Sequence, residues 1–123
     1  MVPLGAYAAQ EFQGMQPVTD IIAGQFQQGQ YLDQPFQMQP NKCYGVGAVG
    51  AGISEMHIQI VILQPIPGIQ NPVVAEDKTQ GSNAALGGRG QCYTWQFPMG
   101  INAKAVYIAQ GGSGIAAGRV YVK

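Results

Sequence analysis

Glu55-Met56-His57-Ile58-Gln59-Ile60-Val61-Ile62-Leu63 is the stretch on which the reading of this chain turns. Met56, Ile58, Ile60 and Ile62 recur at every second position and alternate with Glu55, His57, Gln59 and Val61. A period of two belongs to a strand with an apolar inner face and a mixed outer one, which puts His57 outside, between Glu55 and Gln59. The same period extends toward the N-terminus. In residues 43–49, Tyr44, Val46 and Ala48 share one face and Gly45 and Gly47 the other, where glycine lets a second backbone or a large aromatic ring come close. In residues 31–38, Tyr31, Asp33 and Gln37 oppose Leu32, Phe36 and Met38, and Pro35 marks an edge strand or a bulge. Residues 21–27 read as a further strand, closed by the turn Gln28-Gly29, and Gln39-Pro40-Asn41-Lys42 is a tight turn with proline at its second position.

Toward the C-terminus, residues 64–72 hold three prolines and a glycine and read as an irregular connection. A short strand at 73–75 leads into a polar stretch, 76–83, expected to be an exposed loop. Residues 84–86 and 91–95 flank the turn Gly87-Gly88-Arg89-Gly90. Residues 103–109 and 115–122, separated by Gly111-Gly112-Ser113-Gly114, spell a closing β-hairpin. Short strands punctuated by 18 Gly and 8 Pro predict an all-β fold, an antiparallel two-sheet β-sandwich of jelly-roll type over residues 20–123. Ahead of it, residues 1–19 form an arm. Leu4, Tyr7, Ala8, Phe12 and Met15 stand at helical spacing behind Pro3, which predicts a helix of about three turns ending between residues 14 and 17. Its apolar stripe either lies on the chain's own sandwich or reaches a neighbouring copy as an assembly arm, with Leu4, Tyr7, Phe12 and Met15 as the contacts.

Charge excludes several functions. In 123 residues only 10% are charged, six basic against six acidic, so no basic stripe is available to displace counterions from nucleic acid or to seat the chain on an anionic membrane. No apolar run approaches the length of a membrane span. Hydrophobic residues at 46% favour burial over disorder, and the chain is long enough to bury roughly two-thirds of its unfolded surface. Residues 1–41 carry Glu11, Asp20 and Asp33 and no basic residue, a charge of −3, which the remaining six basic and three acidic side chains balance at +3. The acidic arm is therefore complementary to the body of its own or a neighbouring subunit. Ten of the 17 glutamines lie in the first 40 residues, so much of the polar surface is neutral amide, suited to packing against copies of itself or simply the composition of this chain.

Cys43 and Cys92 each precede a tyrosine in a strand-like segment, which fits a bridge between two strands, with two buried thiols as the alternative. A bridge closing about 50 residues contributes roughly 4 kcal/mol and places the protein in an oxidising compartment. Two cysteines and one histidine do not make a metal site, and no cofactor is expected. A serine-nucleophile triad would need His57 with Ser54, Ser82 or Ser113, none of which stands in an elbow motif. Glu55, Glu76 and Asp77 are the only nearby carboxylates for glycoside chemistry, and Glu76, Asp77, Thr79 and Asn83 lack ordered spacing for calcium. The glycine runs 87–90 and 111–114 join strands and do not open a phosphate-binding helix. Tyr93, Trp95 and Phe97 alternate; on an outer face such a row stacks on sugar rings or a partner, and on the inner face it is core, the preferred reading because a small sandwich needs large side chains somewhere.

From residue 23 to the end the chain resembles the bacterial pre-peptidase C-terminal domains and kindred secreted sandwich domains. The similar features are the leading strands at 24–29 and 31–38, Cys43-Tyr44 entering a strand, the alternation from Met56 to Ile62, Val74-Ala75-Glu76-Asp77, and the close through Gly112-Ser113-Gly114 to Val120-Tyr121-Val122. At Ser54-Glu55-Met56-His57 a single Glu stands where the family usually shows an acidic pair, a departure that argues against a calcium role. The resemblance implies a jelly-roll-like sandwich, export, and a non-catalytic accessory or structural role. Two functions follow as expectations. The first is a non-enzymatic structural subunit, extracellular or on a bacterial cell surface with the periplasm as the alternative, that assembles with copies of itself into a layer, filament or shell. The second is a glycan- or protein-binding accessory module using Tyr93, Trp95 and Phe97.

Overall fold

The computed structural model describes residues 3–123. One helix, α1 (Leu4–Glu11), precedes eight strands: β1 (Gln16–Pro17), β2 (Ile22–Phe26), β3 (Tyr31–Met38), β4 (Cys43–Ile62), β5 (Val73–Glu76), β6 (Asn83–Leu86), β7 (Tyr93–Thr94) and β8 (Ile101–Val122). All pairings are antiparallel and belong to one sheet.

The spine is a ribbon of β4 and β8, paired from Tyr44 opposite Val122 to Ile62 opposite Ala103. This corrects the closing hairpin expected across Gly111-Gly112-Ser113-Gly114. Its two arms do not pair with each other; both pair with β4, and β8 runs through the glycines as a single 22-residue strand. Likewise the separate strands expected at 43–49 and 55–63 are one strand of 20 residues. The glycines bend the ribbon instead of reversing it. Its register shifts between Ala51 and Met56, and Gly52 and Gly112 have φ of +83° and +76°. A methyl group on Gly114 would collide with the Ala51 carbonyl oxygen. Bulges and glycine kinks of this kind fold a sheet over on itself.

The bend gives the sandwich-like all-β architecture its two layers. In one, β3, the first half of β8, the second half of β4 and β5 lie side by side; in the other, β1 and β2, the second half of β8, the first half of β4, and β6 and β7. Side chains from both join one buried cluster that includes Phe36, Met38, Ile58, Ile60 and Tyr107 from the first layer and Tyr44, Val46, Leu86 and Val120 from the second. The predicted faces of β3 and β4 are the observed ones, and β3 is an edge strand, where Pro35 costs no ladder bond on its open side.

The helix has two turns, not three, because Phe12 leaves the helical conformation and Gly14 follows at φ +76°. Residues 1 and 2 of the expected arm lie outside the described residues. Leu4, Ala8 and Phe12 are buried against the chain's own sheet. Phe12 lies over Gly45 and Gly47, where an added methyl group would come within 2.5 and 2.8 Å of its ring, and it stacks on Tyr121 at 4.9 Å. The contacts expected of an assembly arm are thus corrected for Leu4 and Phe12, whose side chains the chain itself covers, while Tyr7 and Met15 are partly covered. Charge follows the same path: Glu11 pairs with Arg89 and Asp33 with Lys104, each joining the acidic first third to the basic remainder.

Burial of the phenols predicts alkaline behaviour. Tyr107 donates a hydrogen bond of 2.7 Å to Gln34 Oε1, and burial pushes its pKa upward; burial also raises Tyr44, Tyr93 and Tyr121. A phenol that holds its proton more tightly when folded stabilises the fold below its unfolded pKa of about 10, and that stabilisation is lost as pH rises beyond it. In an alkaline titration, tyrosinate absorbance is expected to rise together with loss of near-ultraviolet circular dichroism. Full ionisation with tertiary structure intact would refute this.

Candidate binding groove

Between α1 and strands β5 to β7 lies a groove of about 940 Å³. Its floor and one wall come from the 87–97 segment. Beyond Leu86 the chain turns through Gly87, Arg89 and Gly90 at φ of +72°, +57° and +80°. Arg89 is thus a non-glycine residue in the left-handed region, a strained conformation that surrounding structure must hold. Glu11 holds it: the Arg89 backbone N–H donates to the Glu11 carbonyl at 2.7 Å, and Arg89 Nε donates to Glu11 Oε2 at 2.9 Å. The Glu11 side chain is only 7% exposed, whereas that of Arg89 is 80% exposed. A methyl group on Gly88 would lie 2.6 Å from Glu11 Oε1, so helix and turn meet only over glycine.

The disulfide Cys43–Cys92 then ties this wall to β4, with Cα atoms 5.4 Å apart. It links β4 to the residue immediately ahead of β7, next to the strand-to-strand bridge that the tyrosine-adjacent cysteines implied, and Tyr93 pairs with Tyr44 beside it. The aromatic row is split. Trp95 is fully buried, donates Nε1–H to the Met99 carbonyl at 2.8 Å, and packs at a tilt against Phe97, ring centroids 4.7 Å apart. Of its two expected roles Trp95 takes core, and the binding role is corrected: no face of the indole is open to a ligand. Tyr93 and Phe97 are half-buried and line the groove, with Tyr7 across from them. Burial, and next the Glu11 carboxylate, push the Tyr7 phenol up to about 12.

The opposite wall comes from the polar stretch expected to be an exposed loop, and Asp77 corrects that expectation. Asp77 is buried; its Oδ1 accepts the Ile58 backbone N–H at 2.8 Å and lies 2.6 Å from His57 Nδ1, while its Oδ2 accepts the Thr79 hydroxyl at 2.7 Å. Thr79 in turn accepts the Ala85 N–H at 3.1 Å, so one carboxylate pins the loop to both β4 and β6. Glu76 takes the other side of the imidazole, 3.2 Å from Nε2, and hydrogen bonds from Gln59 and His57 hold its carboxyl below the usual range. Both ring nitrogens of His57 face carboxylates, which leaves neither directed at Ser54, Ser82 or Ser113. Both Asp77 oxygens are engaged, and among the described residues no three His, Cys, Asp or Glu side chains converge as a metal site.

The helix-to-turn clamp was the part sequence reasoning missed. Its only signal was a lone arginine inside three glycines, with an excess of acid in the arm to meet it.

No protein-family model matches the chain, and no curated protein matches it. Solved structures do match. The pre-peptidase C-terminal domain of a collagenase from Bacillus anthracis superposes with a TM-score of 0.58 at 15% identity, covering 84% of this chain and 89% of that one. The chain has a pre-peptidase C-terminal-like fold. PliG of Aeromonas hydrophila, a periplasmic inhibitor of g-type lysozyme, superposes with a TM-score of 0.51 at 12% identity, covering 87% of this chain and 88% of its own. In this pre-peptidase C-terminal-like fold the disulfide fits a secreted or periplasmic protein, and no helix among the described residues is long and apolar enough to cross a membrane.

Proposed function

We propose that the chain is an exported, non-catalytic accessory module that binds a partner, a protein in first place and a glycan in second, in the groove between α1 and β5 to β7. The observation that carries this reading is the set of half-exposed rings of Tyr7, Tyr93 and Phe97 beside Arg89, on a wall locked by Cys43–Cys92. Rings that are rigid, partly dry and next to a guanidinium are the usual anchors of recognition surfaces. The fold shared with an inhibitor of a lysozyme supports a protein partner. Tyr93→Ala is expected to weaken binding of whatever ligand the intact protein captures by about tenfold or more, since anchor residues contribute upward of about 1 to 2 kcal/mol. Calorimetry against the captured ligand checks this, and unchanged affinity would place binding elsewhere.

A second reading, a self-assembling structural subunit, draws on a different surface. β2 and β3 are bonded on one side only, carry neutral glutamines, and stand near Ile21, Tyr31 and Ile115, exposed at 53%, 60% and 47%. Edges with few charges favour pairing with another chain, although Asp33 and Pro35 blunt that of β3. On this reading light scattering finds concentration-dependent oligomers that Ala23→Lys in β2 returns to monomers. A wild-type protein that stays monomeric at millimolar concentration would sink it.

A further inference from the structure

Resting on the groove reading above, we infer that the groove takes a protein segment carrying a carboxylate next to an aromatic or aliphatic side chain, the carboxylate meeting the guanidinium of Arg89. Four charged side chains line the groove: Glu11, Glu76, Lys78 and Arg89. The two acids are already engaged, Glu11 by Arg89 Nε and Glu76 by Gln59 and His57. The two bases are not used up. Among the described residues Lys78 has no ion-pair partner, and Arg89 spends only its Nε on Glu11, leaving both terminal nitrogens without a partner among those residues. Those nitrogens form the edge of the guanidinium fork that takes a carboxylate in two parallel hydrogen bonds. Glu11 also fixes the fork's orientation, through Nε and through the strained backbone of Arg89, so little is lost on binding. Strain at Arg89 has a local reason on this view: glycine would relieve it but would remove the fork.

The rings set the rest of the ligand. Tyr93 and Phe97 offer half-buried faces beside the fork, to be covered by an apolar side chain adjoining the acid. Strands favour a peptide over an acidic sugar. β5 and β7 are each paired only with β4, so their outer edges border the groove with main-chain groups that an extended segment can pair with and a sugar ring matches poorly, whereas the Ala85 N–H of β6 is already taken by Thr79.

The test pans a random peptide display library on the oxidised full chain, in parallel with an array of neutral and uronate-bearing oligosaccharides. Enriched peptides are expected to carry Asp or Glu beside Phe, Trp, Tyr or Leu, and to lose about ten- to hundredfold in affinity on Arg89→Gln, the range for a hydrogen bond to a charged group. Arg89→Lys, which keeps the charge without the fork, is expected to recover only part of that, with circular dichroism unchanged in both variants. Enriched peptides without acids that bind in the groove, as judged by loss on Tyr93→Ala, would overturn the carboxylate and leave the binding module standing. Capture of uronate sugars alone would overturn the protein segment. Failure of peptides and sugars alike would overturn both this inference and the groove reading.

Discussion

Trp95→Ala is expected to destabilise the protein by about 3 to 5 kcal/mol, the cost of emptying a site filled by a fully buried indole. Trp95 is the largest of the completely buried side chains, and its environment leaves little room for relaxation. On one side Phe97 packs against it at 4.7 Å. Its backbone is held on both sides, the N–H donating to the Lys42 carbonyl at 3.1 Å and the carbonyl accepting from Asn41 at 2.7 Å. Its indole N–H is the hydrogen-bond donor to Met99, whose carbonyl would lose that partner. Trp95→Phe should recover much of the packing but not this bond. Denaturant unfolding monitored by circular dichroism measures both variants. A loss below about 1 kcal/mol for the alanine variant would mean that the indole is not the core residue described. Binding is expected to fall only through loss of the fold, in contrast to Tyr93→Ala.

Removing the disulfide is the second large perturbation. Cys43→Ala with Cys92→Ala, or reduction, is expected to cost about 4 kcal/mol from the freed loop of about 50 residues. The local effect is as specific as the global one. β7 is only two residues long, paired to β4 at Cys43 opposite Thr94 and Tyr44 opposite Tyr93. Without the bridge, few bonds hold this piece of the groove wall in register, so ligand affinity should fall under conditions where the rest of the sheet remains folded. Denaturant midpoints with and without reductant give the first quantity, and binding measured on the double variant gives the second. Equal midpoints would show the bridge to be idle.

Trp95 and the two cysteines also mark the limits of reading the chain unaided. The alternation of 55–63 gave the correct faces of β4 because a strand buried on one side imprints a period of two wherever it pairs. Glycines at 45 and 47 announced a close approach, and Phe12 makes it. The cysteines declared themselves by their position beside strand tyrosines. The row 93–97 did not keep to one environment, with Trp95 in the core and Tyr93 and Phe97 on the groove, because alternation holds only while the strand does, and β7 ends at Thr94. Glycines 111 to 114 read as a hairpin turn because the same residues serve turns and bends. Which of the two forms depends on a partner far away in sequence, β4, that local chemistry does not reveal. Asp77 was hidden for a related reason: an acid in a polar run looks solvated until the backbone N–H of Ile58, 19 residues earlier, is brought to it.

The bent ribbon also has a kinetic consequence. Its innermost rung, Ile62 with Ala103, cannot form until some 40 intervening residues have been closed into a loop, and every later rung spans more. Assembly of so non-local a ladder belongs to the millisecond-to-second regime of β proteins, with unpaired strands exposed meanwhile. Oxidation of Cys43 with Cys92 before folding would tether β4 within ten residues of the start of β8, shortening that search. The order in which the chain is oxidised and zipped therefore sets how long its sticky edges wait.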